Sequence, residues 1–303
     1  MTYDLIIIGA GAAGISSAIY AGSRRLNLLV FEQEAVGGLI NKVSIISHFE
    51  GVNLGEPGSD FINRAKRQLN QQHVNVLKEK VTAVDLSGDL KKVTTTNSIY
   101  EAKAVIIAAG SVPNIVPFDG RETLEGNHVF YEVNEKNLDQ IRGKDIFVVG
   151  GSDGATKEAI YLSDFAAKVN LVYVEDKIGA VKEFQELLSD KKNIVQHPHS
   201  SIVKAERVQD RLVVGIRDNN SQHVKTFEAE NGAIFVFAGI KPNSKLFEGM
   251  LDMENGFIKT DENMRTNIPN VFAIGDIRVK KVRQVSLAVA EGTIAAIVAS
   301  QSI

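Results

Sequence analysis

The chain has 303 residues, 44% of them apolar and 23% charged, a net charge of −3 and no cysteine. Length predicts about two domains, and the composition is that of a soluble globular protein. The slight negative balance, with no long basic run, speaks against nucleic acid and against a membrane surface as partners. Zero cysteine excludes disulfides, thiolate metal sites and any dithiol relay within the chain. No metal is expected: the six histidines lack ligand spacing, and His197-Pro198-His199 reads as a solvated loop. No apolar run approaches the roughly 18 residues of a membrane span. The N-terminus reads as a strand and not a signal peptide, which points to the cytosol.

In chain order, residues 3–32 form the first predicted unit. LIIIGAGAAG (5–14) is an apolar run leading into Gly9, Gly11 and Gly14, and a helix follows. In a GxGxxG turn the first glycine allows the tight bend and the second lets a pyrophosphate approach the backbone. The third lets helix and strand pack closely, and the helix N-terminus offers partial positive charge. Ala12 and Ala13 lie in the same turn. LNLLVFE (26–32) then gives a second strand ending at Glu32, a carboxylate placed for a ribose 2′-OH.

A helix is predicted over roughly 58–72, capped by Ser59 or Asp60 after Pro57-Gly58. Residues 74–100 read as a meander of short strands turning at Gly88-Asp89. AKAVIIAAG (102–110) is a buried strand. Val112-Pro113 and Val116-Pro117 mark a crossing between domains.

The glycine sentence then recurs. IFVVGGSDGA (146–155) places Gly150, Ser152 and Ala155 at the three motif positions, and VNLVYVE (169–175) ends at Glu175. The copy is altered: a side chain, Ser152, stands where the pyrophosphate would approach, and Asp153 adds a carboxylate. A second short β region is predicted over roughly 201–237. FVFAG (235–239) with Lys241-Pro242-Asn243 mirrors the first crossing. IPNVFAIGD (268–276) is a strand ending in Gly-Asp, and an alanine-rich helix over 286–300 closes the chain. The expected architecture is α/β, with two Rossmann-like, three-layer ββα dinucleotide-binding domains, one inserted in the other. Their bounds are 1–114 with 241–303, and 115–240.

These residues resemble the two-dinucleotide-domain flavoprotein reductases of the low-molecular-weight thioredoxin-reductase branch. Gly37-Gly38 looks like the glycine pair beside the flavin. His48-Phe49-Glu50-Gly51 looks like the family's Asn-Phe-Pro-Gly loop, with two changes. Ala108-Ala109-Gly110 stands where Ala-Thr-Gly is usual. Gly275-Asp276 looks like the Gly-Asp whose carboxylate holds the ribityl chain of FAD. Arg283-Gln284 looks like the Arg-Gln beside the flavin ring. The resemblance implies FAD in the first domain, with Leu39 and Val81 joining Gly37, Gly38, His48, Ala109 and Gly110 around it.

A thioredoxin reductase carries Cys-x-x-Cys before its second glycine motif. The matching positions here are near Val133 and Lys136, neither of them a thiol. Thiolate attack on a disulfide is therefore closed by that route. Residues 128–155 more closely resemble the thioredoxin-reductase-like ferredoxin (or flavodoxin) NAD(P) reductases, which lack redox cysteines and also carry an acid like Asp153. Ala290-Glu291-Gly292 is similar to their Gly-Glu-Ala. That branch usually adds a C-terminal segment over the flavin, whereas this chain ends at Ile303, and Leu39 replaces a frequent Gln.

The resemblance implies hydride transfer from a nicotinamide to FAD, then electrons to a ferredoxin- or flavodoxin-like carrier or a small acceptor, in a homodimer. NADH is expected ahead of NADPH, because Glu175 stands where NADPH-dependent relatives gather arginines. Two like charges ~4 Å apart repel by roughly 4 kcal/mol at an effective dielectric near 20. Alternatives remain: a domain that has lost nicotinamide and takes electrons from a protein donor, or a non-catalytic FAD scaffold or sensor.

Overall fold

The structure, a computed structural model, describes residues 2–303. It divides into two compact units, Met1–Val112 with Lys241–Ile303, and Pro113–Ile240. The first boundary thus falls two residues before the one read from sequence.

In the first unit β1 (Thr2–Ile8) leads through a glycine turn into α1 (Ala12–Ser23) and then β2 (Leu28–Glu32). After α2 (Gly58–Gln71) come β3 (Asn75–Lys78), β4 (Val81–Asp85), β5 (Lys91–Thr95) and the long β6 (Ile99–Ile107). β1 lies parallel between β2 and β6, and β3 extends the parallel sheet beyond β2. β5 pairs antiparallel with the first half of β6, and β4 pairs antiparallel with β5 at the edge. The expected meander over 74–100 is therefore shorter by one strand. Asn75–Lys78 pairs with β2 instead, and a lone four-residue run carries no sign of its partner. The residues proposed to cap α2 lie inside it. Pro57 is the N-cap, without a side-chain hydrogen bond, and Asp60 sits in the first turn where the helix dipole favours it.

The chain leaves by β7 (Ser111–Pro113) for the second unit. There α3 (Arg121–Leu124), β8 (Val129–Phe130), α4 (Glu135–Ile141), β9 (Asp145–Val149), α5 (Asp153–Ser163) and β10 (Lys168–Val172) follow in order. Next are α6 (Lys182–Asp190), β11 (Ile194–His197), β12 (Ser200–Val208), β13 (Arg211–Asp218), β14 (Val224–Glu230) and β15 (Ala233–Val236). The parallel sheet runs β11-β10-β9-β15-β8, and β12-β13-β14 form a separate antiparallel meander. The β region expected over 201–237 is thus split, because the fully buried Ala233–Val236 joins the parallel sheet.

The chain returns by β16 (Ile240–Pro242). The hairpin β17 (Met253–Glu254) and β18 (Phe257–Ile258) follows, then β19 (Val271–Ala273) and α7 (Val285–Ser302). β19 lies parallel to the second half of β6. Strand alternation explains the layering of the first unit. Leu5, Ile7, Val30 and Ile106 pack with the helices, while Ile6, Ile8, Phe31 and Val105 pack with Leu86, Val93 and Phe247 on the other face. Each such side chain fully buried contributes about 1.5–3 kcal/mol.

α7 corrects one expectation. By length and composition this 18-residue helix meets the requirement for a membrane span. In the structure one face of it lies on α1: Ser16 donates to the Val289 carbonyl at 2.7 Å, and Ala288, Gly292, Ala295 and Ala299 are buried.

Candidate functional site: two glycine turns

In the first unit the glycine turn is shaped by contacts on both sides. Gly9 has φ +102°, and a side chain there would strike the Ala108 carbonyl of β6's extension. A side chain at Gly14 would strike the Gly9 carbonyl, so α1 seats directly on the turn. At Gly11 nothing lies within 4 Å of the missing Cβ. Packing requires the first and third glycines; the second faces open space at the N-terminus of a 12-residue helix. Such a terminus leaves backbone N–H groups for an anion.

Glu32, the last residue of β2, turns back on this loop. Its carboxylate accepts from the Ala10 N–H and the Glu34 N–H, both at 2.9 Å. Gly37 N–H donates to the Ala10 carbonyl at 2.7 Å, and a Cβ on Gly38 would lie 3.3 Å from Gly11 Cα. The glycine pair therefore runs directly beside Gly11. Leu39 lies in the 3-10 turn Gly38–Lys42 that follows.

From the other end of the chain, Gly275-Asp276 opens a 3-10 turn after β19, and a Cβ on Gly275 would lie 3.1 Å from that of Ala13. The Gly275-Asp276 turn thus stands by the first turn of α1. Buried Glu291 on α7 fixes this turn by accepting from the Gly275 N–H at 2.6 Å. Residues separated by more than 260 positions converge on one cradle at the N-terminus of α1, where backbone N–H groups are left for an anion.

The remaining assignments spread around this centre. His48 has φ +58°. The loop after it is held by Glu56, which receives the Asn53 N–H at 2.8 Å and the Arg64 guanidinium. Those bonds, the Asn53 N–H first, hold the Glu56 carboxyl below its usual range. Arg283 lies over the Phe257 ring, 4.2 Å from its centroid, and Gln284 is the N-cap of α7. Ala109 packs against the second core cluster. The Gly110 carbonyl accepts from the Asn243 N–H at 3.0 Å. Val81 opens β4 and packs against that same core; no contact places it at the glycine cradle.

The turn in the second unit repeats the first with different chemistry. Gly150 has φ +133° and a side chain there would strike the Phe237 carbonyl. Ala155, fully buried, fills the third position. Ser152 is the N-cap of α5, yet its hydroxyl makes no capping hydrogen bond. Asp153 reaches across to accept from the Val181 N–H at 2.6 Å, and Gly179 N–H donates to the Gly151 carbonyl at 2.8 Å. Residues 179–181 are thereby tied to the turn.

Register corrects the pairing of Glu175 with Glu32. Ile8 pairs with Phe31, and Val149 with Val172. The residue after Val172 is Tyr173, so Tyr173 is the structural counterpart of Glu32. The strand ends at Val172, and Glu175 lies three residues beyond it. The acid still reaches the turn: Glu175 Oε2 would lie 2.9 Å from a Cβ on Gly151. Burial, followed by the nearby Asp176 and Glu175 carboxylates, holds the Tyr173 phenol above its usual range. Asp176 is paired with His199 at 3.0 Å.

At the positions matching a redox dithiol, Val133 is buried in the core of the second unit and Lys136 lies in α4. Asn134 between them caps that helix, with reciprocal hydrogen bonds to Asn137 at 3.1 and 2.9 Å. The segment serves as a helix start. Among the described residues no cluster of three or more His, Cys, Asp or Glu side chains could hold a metal ion.

Residues 3–292 match the family described as pyridine nucleotide-disulphide oxidoreductase. The chain belongs to this family. It is 37% identical over 305 residues to a "34.2 kDa protein in rubredoxin operon" of Clostridium pasteurianum, covering 99% of this chain and 97% of that protein. It is 34% identical over 299 residues to a thioredoxin reductase of Peptoclostridium acidaminophilum, covering 97% and 95%. The crystal structure of Lactococcus lactis thioredoxin reductase superposes with a TM-score of 0.92 at 30% identity, covering 99% and 98%. Membership of this oxidoreductase family makes the chain an FAD-dependent oxidoreductase. Sequence reasoning missed Lys280 and Arg278 beside Asp276, and the Asp153–Val181 tie. The one available signal was Glu291, a lone charge in an apolar helix.

Proposed function

We propose that the protein is an FAD-dependent oxidoreductase of ferredoxin/flavodoxin–NAD(P) reductase type, with NADH favoured over NADPH and no dithiol relay. One observation carries this reading. In the first unit the N-terminus of α1 is open at Gly11 and the Gly275-Asp276 turn packs against Ala13, while the chain holds no cysteine and uses the dithiol position to start α4. FAD, when bound, takes a hydride from a nicotinamide and can release its electrons singly. The protein's own part is to bind and orient. The N-terminus of α1 would face the pyrophosphate, Glu32 the adenosine ribose, and Asp276 the ribityl hydroxyls. The acid beside the second turn, Glu175, supports NADH: it repels a 2′-phosphate and accepts from a free 2′-hydroxyl. The physiological acceptor in this reading is a one-electron protein carrier of ferredoxin or flavodoxin kind. The relative named for its place in a rubredoxin operon is in keeping with that. A homodimer belongs to the same proposal, by resemblance to the reductases.

A second reading is favoured by the Asp153–Val181 tie, which sets a carboxylate at the N-terminus of α5 where a pyrophosphate would bind. Here nicotinamide is not used and the flavin is reduced by a protein donor. Anaerobic stopped-flow reduction separates the two. Reduction by NADH faster than by NADPH supports the first, and Glu175→Arg is expected to move the preference toward NADPH. Faster reduction by NADPH in the wild type overturns the nucleotide assignment. Reduction by reduced ferredoxin alone supports the second reading.

A further inference from the structure

The Gly275-Asp276 turn is backed by charges that the family assignment does not use. Lys280 is buried, with 7% of its side chain exposed. Its Nζ lies 3.2 Å from Asp276 Oδ1 and 3.4 Å from Glu291 Oε1. Arg278 Nε lies 3.1 Å from the same Glu291 oxygen, and its Nη1 donates to Thr260 Oγ1 at 2.9 Å. The other Glu291 oxygen receives the Gly275 N–H. Two cations and two carboxylates form a neutral quartet, of which Asp276 is the most exposed member, at 31% of its side chain.

Holding the turn to α7 needs Glu291 and one cation, and Arg278 provides that cation. An ammonium as buried as that of Lys280 is costly unless it is paired. Its nearest carboxylate is Asp276. The pair is not a helical i,i+4 bridge, because the chain is extended at Arg278 and Val279 N–H donates to the Ile258 carbonyl at 2.9 Å. The chain path therefore brings Lys280 back beneath Asp276. A side chain with one cation on one of its oxygens is confined in rotation.

We propose that Lys280 is the positioning residue of the flavin site. It fixes the Asp276 carboxylate in the orientation that receives the ribityl hydroxyls, while Arg278 serves the fold through Glu291. The proposal rests on reading the first unit as the FAD site.

The test measures FAD dissociation from the purified holoprotein by flavin fluorescence, with the apoprotein melting temperature followed in parallel. Lys280→Gln is expected to weaken FAD binding about tenfold, the scale of one charge-assisted hydrogen bond. Lys280→Arg is expected to restore most of it, and Lys281→Gln, at an exposed neighbour, to change nothing. In an Asp276→Asn background, Lys280→Gln is expected to bring little further loss, because the two residues act as one unit. FAD affinity in Lys280→Gln within twofold of wild type overturns the proposal. So does an equal loss with and without Asp276, which would mark Lys280 as a fold residue only. Wild-type protein that takes up no FAD overturns the site reading and this proposal together, so the two failures are distinct.

Discussion

The two units repeat one plan. Each has a parallel sheet in which the strand before the glycine turn lies between its two partners, β2-β1-β6 in one and β10-β9-β15 in the other. Each has a positive-φ glycine packed under a carbonyl, Ala108 in one and Phe237 in the other. Each returns an N–H from a later glycine, Gly37 or Gly179, to the turn. They differ in what surrounds the helix N-terminus. In the first unit it is an open position at Gly11, with a carboxylate brought in from residue 276 and neutralised from behind. In the second it is Ser152, with Asp153 and Glu175 close by. The same backbone thus carries an open helix N-terminus in one place and an acidic turn in the other. The scaffold is set by packing glycines, and the charge beside it by the side chains.

The largest expected effect falls on the first unit alone. Glu291→Ala leaves Arg278 and Lys280 buried with one carboxylate fewer and frees the Gly275 N–H. A loss of about 3 kcal/mol or more is expected, read as a lower urea midpoint for the first unit with the second unfolding as before. A wild-type midpoint would show that the quartet is not a stability element.

The glycines give a graded set. Gly14→Ala is expected to destabilise by about 1–3 kcal/mol, since its Cβ meets the Gly9 carbonyl. Gly154→Ala, with nothing near its Cβ, is expected to be neutral or to gain up to about 1 kcal/mol. Gly11→Ala separates packing from binding: its melting temperature without FAD should match wild type while FAD affinity falls. A Gly11→Ala protein that keeps wild-type FAD affinity would break the distinction between scaffold and cradle.

The smallest effect concerns the second unit. Burial first, then Lys168 and Lys225, hold the His197 imidazole below its usual range. A depressed folded-state value means that the unfolded chain takes up the proton first as pH falls. The stabilisation from keeping His197 neutral is therefore full above about pH 6.5 and is lost as pH drops below it. Melting of the second unit is expected to decline over that range, and His197→Gln to flatten the decline. An unchanged slope in the variant would assign it to other groups.

Much of this was legible before folding. Apolar runs of four residues ending in glycine mark the buried parallel strands, because a strand covered on both faces has no polar positions to alternate. The paired crossings at Val112-Pro113 and Lys241-Pro242 mark the insertion, because a positive-φ glycine, Gly110 or Gly239, turns the chain just before each. What stayed hidden was pairing. Asn75–Lys78 could not announce its sheet, nor could Glu175 reveal that it lies two positions past the counterpart of Glu32, since register is a relation between distant segments.

The sequence by itself determined the doubling of the glycine motif and the exclusion of thiol chemistry, because both depend only on which residues are present and on short-range spacing. Only the tertiary structure decided which acid serves which turn and that Lys280, Arg278 and Glu291 stand behind Asp276. Charges interact through space over a few ångströms, and the fold alone brings residues from the turn after β19 and from α7 within that reach.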